Sequence, residues 1–297
     1  MHWKGISMKS RLQLLGAMGI FGTIGAFVKY IPLPSATIAF VRGVLGVAFL
    51  ILTMVCLRQK PAWAAIRRNL GILVLSGAAI GLNWVLFFES YNYTSTAIAT
   101  ICYYLAPLFL LLMSPLLGER LTLKKLLCIF SALVGMVLIS GVLEGQNAID
   151  ENQIWGILLA TGAAVLYATV MLLNKKLKPI AAYDKTILQL FFASLVILPY
   201  VLFSRGFAFH ALNGIGWAHL VFLGVVHTGI AYAMYFGSMK NLPAHTIAIF
   251  SYLDPVLAVL ISALVLKEAP LGLPGWIGAV LILGSALYSE LPERKKT

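Results

Sequence analysis

Charged residues are scarce in this sequence. Charged side chains make up 11% of the 297 residues and hydrophobic ones 61%, whereas average soluble domains carry about 25% and about 45–50%. A soluble fold of this composition would leave too much apolar surface in water, which excludes a soluble enzyme, a disordered chain and a secreted disulfide scaffold. HExxH and Walker A patterns are also missing, so neither a metalloprotease nor a P-loop nucleotide site is predicted.

Cysteine is equally rare. The three cysteines, Cys56, Cys102 and Cys128, all lie inside apolar runs. Their odd number and their spacing match neither a disulfide framework nor a metal centre. We therefore expect three buried thiols, and we predict no metal and no cofactor.

The apolar residues form runs of about 20, the length that an α-helix needs to cross a bilayer. The mean hydropathy of +0.93 agrees with this pattern. The sequence therefore predicts an all-α integral membrane protein with ten transmembrane helices and short connections. The predicted spans are 12–31, 35–57, 70–91, 96–117, 124–143, 154–174, 186–204, 216–239, 245–266 and 273–290.

The distribution of Lys and Arg predicts the orientation, because cytoplasmic loops of membrane proteins are enriched in both. With the N-terminus in the cytoplasm, the cytoplasmic segments hold 18 of the 22 basic residues, and the outer segments hold Lys29, Arg205 and Lys267. The remaining one, Arg42, lies inside the second span. We therefore predict both termini in the cytoplasm and location in the plasma membrane. The net charge of +12 then reflects orientation and not a nucleic-acid-binding surface.

An internal repeat relates the two halves of the chain. At an offset of 148 residues, Tyr-Leu-Ala-Pro at 104–107 falls on Tyr-Leu-Asp-Pro at 252–255. After one inserted residue, Glu119 falls on Glu268. The offset maps the third, fourth and fifth predicted spans onto the eighth, ninth and tenth.

A repeat of five helices is odd, so the second copy crosses the membrane in the opposite sense. We therefore predict two inverted five-helix repeats in one membrane domain, residues 1–143 and 144–297. Inverted repeats are typical of secondary transporters, whose substrate site lies near the bilayer midplane between the repeats.

Motifs in both halves carry a family resemblance. They are Ser-Tyr-Asn-Tyr-Thr-Ser-Thr-Ala at 90–97, Tyr-Leu-Ala-Pro at 104–107, Leu-Gly-Glu-Arg-Leu-Thr at 117–122, Phe-Val-Arg-Gly around Arg42, His-Thr-Gly-Ile-Ala-Tyr at 227–232 and Tyr-Leu-Asp-Pro at 252–255. Together they resemble the EamA-type transporters of the drug/metabolite transporter superfamily. The second copy departs from the pattern, with Lys-Glu-Ala-Pro at 267–270. The resemblance implies ten helices, a central cavity, alternating access, and small metabolites or drugs that are most often exported.

Ionisable residues inside a membrane are costly and therefore mark candidate functional positions. Arg42 lies about 10 Å deep in the second span, where it either ties loop or helix carbonyls, gates the protein or contacts an anion. Asp254, next to a helix-perturbing proline, either carries a proton, holds a substrate ammonium or is structural. His227 either exchanges protons and binds substrate, or packs as a hydrogen-bonded core histidine.

Further polar and aromatic residues complete the predicted site. Lys29 and Glu89, both near the outer end, are predicted to pair as an extracellular gate or as a plain interfacial ion pair. Asn83 is a candidate substrate donor or acceptor. Four aromatic residues are predicted to line a cavity for a partly apolar or cationic solute. They are Trp84, Tyr104, Tyr232 and Tyr252.

These features predict a secondary transporter that exports a small organic metabolite, either an amino acid or an amphipathic or cationic compound. The predicted partners are that solute and the lipid bilayer, with proton coupling and uncoupled transport both left open. A non-transporting receptor or scaffold is the alternative. An intramembrane enzyme is not predicted, because only His227 and Asp254 offer paired chemistry.

Overall fold

The structure is a computed structural model that describes residues 8–117, 123–139, 151–203, 206–239, 253–268 and 271–290. Within these residues all regular structure is helical. The helices are α1 Met8–Gly22, α2 Ile24–Lys29, α3 Ser35–Cys56, α4 Trp63–Ser90, α5 Thr96–Tyr103, α6 Ala106–Leu112, α7 Leu123–Ile139, α8 Glu151–Lys175, α9 Ala182–Phe203, α10 Gly214–Phe222, α11 Ala231–Met239, α12 Leu253–Leu264 and α13 Leu273–Glu290. A π-helical segment, Leu223–Ile230, joins α10 to α11.

Six helical stretches are long and apolar enough to cross a bilayer. They are Met8–Lys29, Ser35–Cys56, Trp63–Ser90, Glu151–Lys175, Ala182–Phe203 and Gly214–Tyr235. Shorter apolar helices cover Thr96–Leu110, Leu126–Gly135 and Leu273–Ser285. The predicted all-α membrane fold is confirmed at this level.

Three local predictions need correction. The third span was predicted to begin near residue 70, but α4 begins at Trp63 and so includes basic residues that were assigned to a loop. The first span is not one continuous helix, because it is interrupted at Thr23. Cys102 and Cys128 are buried as predicted, whereas Cys56, on the last turn of α3, is exposed.

Small residues allow the helices to approach closely, which is the main source of helix association where lipid is as apolar as leucine. On α4, a Cβ built at Gly81 would lie 2.7 Å from the carbonyl oxygen of Ala193 on α9, and one at Gly77 would lie 2.6 Å from the Cβ of Phe192. Large apolar side chains such as Phe203 point outward and are exposed. Close backbone contacts therefore hold α4 against α9, while large apolar side chains occur both in the buried interior, as at Phe88, and on the outer surface.

The helix contacts follow a regular plan. Helix α4 packs on α8 and α9, while α11 packs on α1 and the π-helical segment packs on α3. Helix α8 also packs on α5 and α6, while α1 packs on α12. The remaining large contacts pair α3 with α9, α3 with α4, α5 with α12, and α7 with α13. Exchanging the first five predicted spans with the last five converts the α4 contacts with α8 and α9 into those of α11 with α1 and of the π-helical segment with α3. It converts the α8 contacts with α5 and α6 into that of α1 with α12, and it leaves the α3–α9, α5–α12 and α7–α13 pairs unchanged. The counterpart of the α3–α4 contact is the smaller contact of α9 with α11.

Candidate functional site

Two irregular backbone segments face each other inside the bundle. The first is the interruption at Thr23 between α1 and α2, and the second is the π-helical segment that contains His227. The Thr23 hydroxyl donates to the carbonyl of Ile20 at 2.8 Å and lies 2.7 Å from Nε2 of His227. The two side chains thus share a hydrogen bond, and the tautomer of His227 decides which of them donates.

The His227 ring is fully buried and packs against aromatic neighbours. Phe27 lies 4.9 Å and Phe222 5.4 Å from it, centroid to centroid. Its Nδ1 is buried and has no hydrogen-bond partner among the described residues. His227 therefore links α1 and α2 to the π-helical segment, which supports the core-packing alternative for this residue.

Local sequence explains why the π-helical segment lies where it does. The Thr228 hydroxyl donates to the carbonyl of Leu223, five residues earlier, at 3.1 Å. Gly224 and Gly229 lie under α3, where a built Cβ would come within 2.5 Å of Leu45 and 2.4 Å of Phe49. The two glycines thus allow α3 to pack closely against the π-helical segment. Such π-helical turns occur frequently at functional sites.

Arg42, on α3, contacts the π-helical segment. Its side chain is only 3% exposed, and Nε donates to the Thr228 hydroxyl at 2.7 Å. The guanidinium carbon lies 4.5 Å from the ring centroid of Trp84 and 5.5 Å from that of Phe88. No described carboxylate forms an ion pair with it. Arg42 thus links α3 to the π-helical segment through a side-chain hydroxyl, and its charge is not neutralised by the described protein.

A hydrogen bond joins the two halves of the chain. The Tyr104 hydroxyl, at the end of α5, donates to Oδ2 of Asp254 on α12 at 2.8 Å. Both side chains are partly exposed although they face the interior. Tyr104 and Asp254, both predicted as substrate-binding residues, are thus in direct contact. Tyr252, the tyrosine that the repeat aligns with Tyr104, lies outside the described residues.

An aromatic stack lies beside this pair. Tyr103 stacks on Phe87 at 4.3 Å and on Tyr167 at 5.4 Å, centroid to centroid. Its hydroxyl donates to Oδ1 of Asn83 at 3.3 Å, and the Asn83 amide donates to the carbonyl of Ala163. Asn83 is therefore held by the protein itself.

The other two predicted cavity aromatics lie in different environments. Trp84 is buried beneath Arg42. Tyr232 is partly exposed and packs edge-on against Phe21 at 5.4 Å.

The predicted Lys29–Glu89 ion pair is wrong. The Lys29 ammonium lies 3.2 Å from Oε1 of Glu268, and within the described residues Glu89 forms no ion pair. Glu268 is instead the centre of a network. Its Oε2 accepts from the Thr96 backbone N–H at 3.0 Å, from the Thr96 hydroxyl at 2.8 Å and from the Ser262 hydroxyl at 2.5 Å. We call Lys29, Glu268, Thr96 and Ser262 the Glu268 network.

Sequence reasoning missed Glu268 although a signal for it was present. The repeat aligned it with Glu119. Because its loop departs from the family pattern, however, Glu268 was not predicted as a site residue. Its carboxylate lies at the N-terminus of α5, where unpaired N–H groups and the helix dipole favour a negative charge. This network connects α2, α5 and the turn after α12.

These observations define the class of protein. The chain is a multi-pass helical membrane protein in which polar and aromatic side chains from both halves meet in the interior. It belongs to the EamA-like transporter family, whose model matches residues 8–141 and again 154–289. The resemblance inferred from the motifs is thereby confirmed.

Individual relatives cover most of the chain. An uncharacterized transporter of Bacillus subtilis, YxxF, is 31% identical over 84% of this chain and 79% of that protein. The aromatic amino acid exporter YddG of Ancylobacter novellus is 26% identical over 78% of this chain and 83% of that protein. The chloramphenicol-sensitive protein RarD of Pseudomonas aeruginosa is 27% identical over 89% of this chain and 88% of that protein.

A solved crystal structure has the same fold. It aligns with 94% of this chain and 96% of its own chain at a TM-score of 0.63 and 21% identity. This likeness concerns the fold alone.

Proposed function

We propose that this protein is a secondary transporter that moves a small organic metabolite across the plasma membrane by alternating access. The observation that carries the proposal is the Tyr104–Asp254 hydrogen bond. It joins the two family copies in the interior, between side chains that remain partly exposed. Secondary transporters with inverted repeats place their substrate site at such an interface.

The proposed topology is ten transmembrane helices in two inverted repeats, residues 1–143 and 144–297, with both termini in the cytoplasm. Two matches to one family model support the repeats. The helix contacts support two related halves as well, because most of the large contacts have a counterpart when the halves are exchanged. The orientation rests on the uneven distribution of Lys and Arg.

The Glu268 network is the proposed outer gate. The charge distribution places Lys29 and Glu268 at the outer end of the bundle. Their ion pair and the bonds to Thr96 hold α2, α5 and the turn after α12 together. Access from outside requires these contacts to break. The interruption at Thr23 and the π-helical segment are places where α1 and α10–α11 can bend during that change.

The proposed substrate site comprises the substrate-binding residues predicted from the sequence, with Asp254 and His227 as candidates for a proton-linked step. They are Asn83, Trp84, Tyr104, His227, Tyr232, Tyr252 and Asp254. Asp254 is the better placed of the two candidates, because it is partly exposed whereas His227 is fully buried. Outward transport is supported by the name of the related aromatic amino acid exporter.

Transport itself is tested with purified protein in liposomes. A thermal-shift screen of amino acids, nucleosides and organic cations selects ligands, because a solute that binds the native state stabilises it. Liposomes loaded with the unlabelled ligand are then given a trace of labelled ligand outside. Accumulation of label above that in protein-free liposomes is expected. Ligand binding without any such exchange would contradict the proposal and favour a receptor.

A further inference from the structure

Arg42 is a buried cation that lacks a described counter-charge. Its Nε donates to the Thr228 hydroxyl, and no described carboxylate forms an ion pair with it. Arginine stays protonated in proteins, and an unpaired charge in a desolvated site is costly. The rings of Trp84 and Phe88 offset part of this cost. A site of this kind favours a ligand that brings the missing negative charge.

Asp254 does not supply that charge. Within the described residues no ion pair joins the two side chains. Asp254 accepts from the Tyr104 hydroxyl at 2.8 Å, whereas Arg42 contacts Thr228, Trp84 and Phe88. The two charged groups thus have separate partners.

The aromatic stack lies near Arg42. The ring of Phe88, under the guanidinium, lies 6.3 Å from that of Phe87. Tyr103 is partly exposed and lies between the rings of Phe87 and Tyr167 at interplanar angles of 24° and 21°. A further aromatic ring would pack edge-on against Tyr103, in the T-shaped arrangement that aromatic pairs favour. The guanidinium fork matches the two oxygens of a carboxylate. A phosphate dianion would need further cations, and Arg42 is the single cation in this described group of residues.

Resting on the proposed function, we propose that Arg42 binds the carboxylate of the transported solute and that this solute is an aromatic carboxylate whose ring packs against Tyr103. This assignment excludes a cationic solute, because a permanent positive charge would be brought next to an unneutralised guanidinium. Arg42 is therefore a substrate-binding residue as well as a link between α3 and the π-helical segment.

The test compares three probes that share one phenylethyl skeleton. They are 3-phenylpropionate with a carboxylate only, L-phenylalanine with a carboxylate and an ammonium, and 2-phenylethylamine with an ammonium only. Calorimetric titration of the purified wild-type protein in nanodiscs is expected to show binding of the first two and none of the amine. Binding of the amine as tight as that of 3-phenylpropionate, or no binding of any probe, would overturn the inference.

Variants locate the contact at Arg42. Arg42→Gln is expected to weaken 3-phenylpropionate binding by about 10- to 100-fold, the loss typical of a buried charged hydrogen bond. Arg42→Lys should recover part of it as a point charge without the fork. The matched control is Lys124→Gln, since Lys124 also lies over an aromatic ring, Tyr288, at 4.8 Å but outside the site. Unchanged binding by Arg42→Gln would overturn the assignment.

The design remains decisive if Arg42→Gln does not fold, because the ranking of the three probes is measured on the wild-type protein. It also separates the two proposals. Exchange of organic cations with no exchange of carboxylates in liposomes would overturn this inference while leaving the transporter intact. Binding of 3-phenylpropionate without exchange of any solute would overturn the proposed transport while leaving Arg42 as a carboxylate-binding residue.

Discussion

Replacing Glu268 with glutamine tests the Glu268 network directly. The variant keeps the size of the side chain but removes the charge that Lys29 pairs with at 3.2 Å. Oε2 accepts three hydrogen bonds, two from Thr96 and one from Ser262. Hydrogen bonds to a charged group contribute about 1.5–3 kcal/mol and neutral ones about 0.5–1.5 kcal/mol.

The expected loss follows from these contacts. Glutamine can still accept at its oxygen, so the three bonds weaken without disappearing. The ion pair adds little, because Lys29 is 32% exposed and exposed pairs contribute at most about 1 kcal/mol. We expect the closed arrangement to lose about 2 kcal/mol in all. That corresponds to a roughly 30-fold higher population of states in which the network is open.

Hydrogen–deuterium exchange measures this opening, because the Thr96 N–H is itself a member of the network. In nanodiscs, peptides covering the start of α5 are expected to exchange about 30-fold faster in Glu268→Gln than in the wild type. Glu89→Gln is the matched control, since it makes the same chemical change at a residue with no ion pair in the described chain. Equal exchange at α5 in Glu268→Gln and wild type would refute the reasoning.

Three further predictions concern packing, coupling and topology. Gly22→Ala should lower the Tm by several degrees, since overpacking costs about 1–3 kcal/mol and the new Cβ would lie 3.0 Å from the Asp254 carbonyl oxygen. Gly19→Ala, with nothing within 4 Å, should not change it, and equal melting of the two would contradict this packing. Asp254→Asn should abolish pH-driven accumulation in liposomes yet preserve substrate exchange; full pH-driven transport would make Asp254 structural. Cysteines introduced within 144–152 should be labelled from outside and those within 175–178 only after permeabilisation, whereas the reverse pattern would overturn the orientation and the argument for export.

Much of the architecture could be read from the sequence, because its signals are local or repeat along the chain. Runs of about 20 apolar residues suffice to predict membrane helices. The Tyr-Leu-x-Pro motif at 104–107 and 252–255 served to detect the repeat, and the motifs of both halves together identified the family. Helix ends were less predictable, as the early start of α4 at Trp63 shows, because basic residues can continue a helix beyond its apolar part.

Partners could not be predicted, because they are separated by most of the chain. Lys29 pairs with Glu268 and not with Glu89, and Thr23 meets His227 from a distance of 204 residues. No sequence pattern shows whether Glu89 or Glu268 is the partner of Lys29. Close helix packing decides the choice, since it fixes which side chains come within hydrogen-bond distance. The sequence alone thus determined a membrane protein of repeated apolar helices, whereas the tertiary structure decided that Glu268 joins Lys29 to α5 and that Arg42 is buried without a described counter-charge.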